Sequence, residues 1–190
     1  SDVCSSDLIV FALDLLEGKN DARAVALAVD RVEVANHVAL TRFHDLPDYL
    51  AADLRVLSVG INPSLRAVRE GFYFPNPHNR FWRALNASGL LRAPVTPGPA
   101  AMQLILTRDR IGFTDLCKTA SSMAHQVRAA EFRAGAARLA TVIEHCRPRV
   151  LWFHGATAYR AFCRQALGAQ GTVEPGVQPQ CFGGAPIFVS

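Results

Sequence analysis

The sequence predicts an α/β fold: an α/β/α sandwich around a small, four-stranded parallel sheet. Three observations predict it. Short apolar runs rich in β-formers alternate with longer helical runs from residue 54 onward. Each apolar run stops at a glycine, an asparagine or another polar residue, which is how strands in such sheets end. Hydrophobic residues make up 50% of the 190-residue chain and charged residues 19%, enough to bury a core and too apolar for wholesale disorder.

The elements follow in order. Leu54-Arg-Val-Leu-Ser-Val-Gly60 reads as the first strand. Ile61 to Pro77 reads as a loop punctuated by Pro63, Gly71, Pro75 and Pro77. Asn79 to Ser88 is expected to be a helix with Phe81, Trp82 and Leu85 inward, stopped at Gly89. A loop over Pro94 to Pro99 leads to a short helix over Ala100 to Asp109, and Ile111-Gly-Phe-Thr114 is the second strand. Lys118 to Arg128 reads as a basic loop, Ala129 to Cys146 as an amphipathic helix stopped at Arg147-Pro148, and Arg149 to Phe153 as the third strand. Gly155 opens a further helix to about Leu167, Gly168 to Gly184 reads as a long loop, and Ala185 to Ser190 as a buried fourth strand. Ligands of parallel sheets sit beyond the carboxyl ends of the strands. Those ends are Gly60-Ile61-Asn62, Thr114-Asp115, His154-Gly155 and Ser190.

Residues 1–46 read differently. The first eight, Ser-Asp-Val-Cys-Ser-Ser-Asp-Leu, back-translate to TCA GAC GTG TGC TCT TCC GAT CTN, which resembles a sequencing-adapter oligonucleotide. They are read as an assembly artefact and left out of the fold argument. Residues 9–46 read as an N-terminal segment, helical over 9–17 and 21–42, whose origin the sequence leaves open. At the other end, Pro186 to Ser190 reads as a strand cut at its tip, so the domain over 47–190 is expected to be C-terminally truncated.

Charge and cysteine content narrow the classes. The net charge of +4 divides into −6 over residues 1–53, with four basic and ten acidic residues, and +10 over residues 54–190, with sixteen and six. A basic domain attracts polyanions such as nucleic acid. Five cysteines with no CxxC pair give no disulfide framework and no zinc motif, so reduced thiols in the cytoplasm are expected. No run of about 18 uncharged apolar residues suggests a membrane span.

Gly60-Ile-Asn-Pro-Ser64 is the most informative segment. Gly60 is expected to let the backbone turn sharply and to leave its amide open to a ligand. Pro63 stiffens the turn, and Asn62 is a neutral group that can orient a water through its carbonyl or hold a ligand carbonyl through its amide. The segment is neither GxGxxG nor GxxxxGK[ST], which weighs against nucleotide cofactors.

The following residues carry a resemblance. Gly60-Ile-Asn-Pro-Ser-Leu-Arg-Ala67 is followed by Gly71-Phe-Tyr-Phe-Pro-Asn-Pro-His-Asn-Arg-Phe-Trp82, then Ile111-Gly-Phe-Thr-Asp115, Glu131-Phe-Arg-Ala-Gly135 and Arg149-Val-Leu-Trp-Phe-His-Gly155 with Tyr159. In these motifs the region over 47–190 resembles the mismatch-specific uracil/thymine DNA glycosylases of the uracil-DNA glycosylase superfamily. The resemblance implies an α/β/α sandwich that flips a base out of duplex DNA and hydrolyses its N-glycosidic bond, with no metal and no cofactor. It implies that Asn62 positions the attacking water and that Phe74 stacks on the extruded base. Backbone amides near Ile61 and Phe74 would hold the base carbonyls, and Ala67 would lie near the C5 substituent, leaving room for a methyl. Ordinary core packing stays open as the alternative for Phe74. Arg66, Arg69, Arg80, Lys118 and Arg128 flank the site in sequence as phosphate-contact candidates, and the helix start at Gly155 is another, through its amides.

Two residues depart from the family pattern. Ser64 stands where glycine is common, and Asp115 stands where lysine or asparagine is common. Asp115 either assists catalysis or caps a loop. The family's second motif, a loop that wedges into the duplex, would begin just beyond Ser190, so the chain as it stands is expected to be inactive. The implied partner is double-stranded DNA with a G·U or related mismatch, bound by a monomer in the cytoplasm. A non-catalytic relative that recognises lesions without cleaving, and an unrelated α/β enzyme for a small ligand, remain as alternatives.

Overall fold

The computed structural model describes residues 45–121, 127–169 and 172–190. The expectations for residues 1–8, 9–17 and 21–42 lie outside the described residues. The compact unit runs from His44 to Ser190. Leu46 is buried in its core, so the domain takes in residues just before the expected start at 47.

In chain order the elements are β1 (Val56–Gly60), α1 (Leu65–Glu70), α2 (Phe81–Ala87), α3 (Pro99–Leu104), a π-helical turn (Ile105–Asp109), β2 (Ile111–Asp115), α4 (Ala129–Cys146), β3 (Leu151–Phe153), α5 (Ala156–Ala166), β4 (Gly176–Phe182) and β5 (Ala185–Val189). The sheet order is β2-β1-β3-β5-β4. The first four of these pair in parallel, and β4 pairs antiparallel with β5.

The α/β/α sandwich is as the sequence predicts, because residues on each strand alternate between two helical layers. Leu57, Val59, Leu151, Phe153, Ile187 and Val189 face a core completed by Leu139, Ile143, Ala158 and Phe162 of α4 and α5. Val56, Ile111 and Phe113 face the opposite core, completed by Ala67, Phe81, Trp82, Leu85, Ala101 and Met102 of α1 to α3. Phe81, Trp82 and Leu85 are inward as expected.

Three expectations need correction. The sheet has five strands, because the expected loop over Gly168 to Gly184 contains β4. Phe182 pairs with Ala185 around Gly183 and Gly184, both at positive φ (59° and 79°). That is a two-residue hairpin turn that glycine adopts without steric cost, and Gly-Gly was its sequence signal. The second correction is α1, which forms inside the expected loop Ile61 to Pro77. Ser64 Oγ accepts a hydrogen bond from the Ala67 amide at 3.0 Å, and Gly71 closes the helix in the left-handed region with its N–H on the Ala67 carbonyl. The third is β5, which is buried on one face only: Ala185, Ile187 and Val189 are buried, while Pro186 and Phe188 are exposed.

Gly135 lies inside α4, where alanine would ordinarily favour the helix by up to about 1 kcal/mol. A Cβ there would overlap the Leu116 carbonyl oxygen just past β2. Gly135→Ala is therefore expected to destabilise the domain by roughly 1–3 kcal/mol, the usual cost of overpacking. A thermal melt checks this, and a raised Tm would mean that α4 shifts freely over the sheet.

Candidate active site at the strand tips

The β1–β2 ladder continues into the loops that follow both strands. Gly60 pairs with Asp115, and then the amides of Leu116, Cys117 and Ser121 donate to the carbonyls of Gly60, Ile61 and Pro63 at 2.9, 2.8 and 3.1 Å. Two separate loops become one floor at the carboxyl end of the sheet, with Asn62 and Asp115 on it.

Asn62 is oriented from below. Its Nδ2 donates to the Thr119 carbonyl at 3.1 Å, to Ser121 Oγ at 2.8 Å and to the Pro63 carbonyl at 3.3 Å. A carbonyl can only accept, so the amide nitrogen must face this loop and Oδ1 must face away. Among the described residues no donor reaches Oδ1. Of the two polar atoms of the amide, the geometry thus engages the donor and leaves the acceptor facing away from the loop. Thr119 and Ser121 could not be found by pattern, because they lie nearly sixty residues from Asn62 and meet it only through the ladder.

Asp115 is buried, and its Oδ2 has no hydrogen-bond partner. Burial raises its pKa to about 7, opposed by the positive charges of Lys118 and Arg138 and assisted by Asp48 and Asp45. The carboxyl has room only because residue 60 is glycine: a Cβ on Gly60 would overlap Asp115 Oδ1. Gly60 is thus needed for space and not for a turn, since it is a strand residue outside the positive-φ set.

Asp115 borders an ionic cluster that sequence reasoning missed. Asp48 accepts from Arg138 at 2.8 Å, from Thr114 Oγ1 at 2.7 Å and from Lys118 at 2.9 Å. Arg138 also donates to the Asp115 main-chain carbonyl, and Lys118 to the Leu46 carbonyl. Lys118 lies 3.5 Å from Asp45 as well, so its charge is engaged within the fold. Arg66 pairs with Glu70 at 2.5 Å, whereas Arg80 stands exposed at the start of α2.

Phe74 sits at the same end of the sheet. Its ring stacks on Phe81 with centroids 4.0 Å apart and meets His154 edge-on at 4.9 Å. His154 follows β3 directly; its Nε2 lies 2.8 Å from Ser58 Oγ, and burial lowers its pKa to about 4, so it is neutral at pH 7. Ala67 is buried in α1. The Gly155 amide donates to the Ser190 carbonyl at 2.8 Å, so the opening of α5 has already committed the amide expected to be free for a phosphate. Ser64 Oγ is engaged in capping α1. Pro63 gives its carbonyl to Ser121 and so joins the floor it was expected to stiffen.

Adjacent strand tips of the parallel sheet thus carry an oriented neutral amide and a protonatable, desolvated carboxyl. Among the described residues no group of His, Cys, Asp and Glu is arranged to hold a metal ion. Residues 47–190 match the sequence profile of the Uracil DNA glycosylase superfamily, and the chain belongs to that superfamily. It is 31% identical over 161 residues to the G/U mismatch-specific uracil DNA glycosylase of Schizosaccharomyces pombe, an alignment covering 81% of this chain and 48% of that protein. The chain thus spans about half the length of that relative. A solution NMR structure of a candidate uracil DNA glycosylase from Methanosarcina acetivorans superposes with a TM-score of 0.49 at 22% identity, over 70% of this chain and 82% of the other.

The raised pKa of Asp115 has a consequence for stability. Between about pH 4 and pH 7 the folded carboxyl keeps a proton that the unfolded one releases, so the native state binds more protons and stability falls as pH rises. Asp115→Asn removes that dependence. The variant is expected to be more stable than the parent at pH 8 by at most about 4 kcal/mol, read from thermal melts, with the gap closing at pH 4. Parallel pH–Tm curves for the two proteins would show that Asp115 is not desolvated.

Proposed function

We propose that this domain belongs to a DNA repair glycosylase that excises uracil from G·U-mismatched duplex DNA, by flipping the base and hydrolysing its N-glycosidic bond. The observation that carries the reading is the orientation of Asn62, whose amide nitrogen is held by Thr119 and Ser121 and whose carbonyl oxygen is left toward the site. Membership of the superfamily supports the reading, and so does the G/U mismatch specificity of the fission-yeast relative.

The chemistry asks little of the protein in proton transfer. Water held by Asn62 Oδ1 attacks C1′ of the sugar, the C1′–N1 bond breaks, and its electron pair leaves with uracil as an anion. Asp115, when ionised, accepts the proton released by the attacking water. Its charge also stabilises the cation-like sugar that develops as the bond lengthens. Backbone amides near Ile61 and Phe74 hold the base carbonyls, with Phe74 stacking on the base. Ala67 is a small residue, so the reading extends to thymine and other 5-substituted uracils. Lys118 is the sole lysine over 47–190 and is tied to Asp45 and Asp48. That favours direct hydrolysis over an amine-linked intermediate, and hence a monofunctional enzyme. Of the five basic residues that flank the site in sequence, Arg80 alone has no carboxylate partner among the described residues, and it is the proposed phosphate contact. A monomer acting on cytoplasmic DNA completes the proposal.

Single-turnover excision by the gene product that carries these residues, on a G·U duplex developed with alkali, tests the reading. Asn62→Ala is expected to slow excision by roughly 2–4 kcal/mol of lost transition-state stabilisation while duplex binding persists. Near-parental excision by that variant would refute the assignment of Asn62.

The pH profile tests Asp115 separately. Because the ionised form is the active one, the parent rate should rise with pH through about 7 and then level off. Asp115→Asn should be slower and flat across that range. An unchanged profile in the variant would place Asp115 in a structural role.

A further inference from the structure

Phe74 is a bulky residue at φ +57°, in the left-handed region that such residues rarely occupy. Something must hold it there, and α2 supplies the holder. The indole Nε1 of Trp82 donates to the Phe74 carbonyl at 3.1 Å and to the Tyr73 carbonyl at 3.2 Å. In extended chain successive carbonyls point to opposite sides, whereas a helical turn of either hand brings them to one side. A single donor can therefore reach both carbonyls only while the backbone at Phe74 is turned. Trp82 is itself buried, so its N–H finds no water in place of these partners. The neighbouring Phe81 supplies a stacked ring beneath Phe74.

We propose that Trp82 is a positioning residue for the base-stacking platform. Its indole N–H selects the turned backbone at Phe74 and so presets the ring that receives the flipped base. The proposal rests on the reading of Phe74 as that platform. It assigns to Trp82 a hydrogen-bonding role beyond the core packing that its burial alone would suggest. With the platform preset, less ordering is required when the base arrives, which favours the flipped state.

The test separates the N–H from the ring. Replacing Trp82 with benzothienylalanine keeps the bicyclic shape and exchanges the N–H for sulfur, and Trp82→Phe serves as a second variant that also lacks the donor. Each is measured for single-turnover excision of uracil, for duplex affinity and for Tm, alone and combined with Phe74→Ala. The expected result is a fall in excision rate of about tenfold, the scale of one hydrogen bond, for both Trp82 variants, with duplex affinity unchanged. In the Phe74→Ala background the same replacements should have no further effect, because the residue they position is gone. Parental excision rates in the Trp82 variants would overturn the proposal. So would an equal fall in both backgrounds, which would make Trp82 a packing residue only. Parental excision by Phe74→Ala alone would overturn the platform reading, and this proposal with it.

Discussion

The hydrogen-bond ladder between β1 and β2 outlasts the strands that begin it. Past Gly60 and Asp115 the two chains leave extended geometry, yet three more amide-to-carbonyl bonds join them, ending at Ser121 and Pro63. Everything at the site depends on this continuation. It brings Thr119 and Ser121 to Asn62, and it sets Asp115 against the one position on β1 that has no side chain. A one-residue slip in the β1–β2 register would turn Asp115 to the other face and leave Asn62 without its partners.

The second constraint is electrostatic. Asp48, Thr114, Lys118 and Arg138 form a half-buried cluster that ties the segment before β1 to the end of β2 and to α4. Such clusters contribute little net stability, since desolvation offsets much of the attraction. Their effect here is on geometry and on charge. The carboxylates of Asp45 and Asp48 balance Lys118 and Arg138, so Asp115 lacks a dedicated cation and takes its pKa mainly from burial. A carboxyl near neutrality can exchange a proton at physiological pH, which a salt-bridged one cannot do.

The aromatic cluster links the site to the layer beneath it. Phe74, Phe81 and Trp152 lie in sequence around the neutral ring of His154, with centroid separations of 4.5–5.4 Å from that ring. His154 in turn bonds Ser58 on β1. The helical layer formed by α1 to α3 thus reaches the strand tips through rings that pack against each other, and it does so without a charged group.

Much of the fold was legible in the sequence because it is written in local patterns. The span of α4 follows from its apolar period and from Arg147-Pro148 at its end, and the four parallel strands follow from short β-rich runs. Local signals for α1 and β4 were also present, in Ser64, Gly71 and Gly183-Gly184, but they lay in segments whose prolines and glycines read as loop. By itself the sequence determined the α/β/α class, the strand tips and the presence there of Asn62 and Asp115, since residue order alone places a side chain at the end of a strand, whereas Phe74 reaches that end only through its ring contacts with Phe81 and His154. Tertiary structure alone decided which way the Asn62 amide faces, why residue 60 must be glycine, that Lys118 is spent on Asp45 and Asp48, and that Asp115 is desolvated. Orientation and pKa are set by neighbours distant in sequence, and those neighbours exist only once the sheet has closed its register.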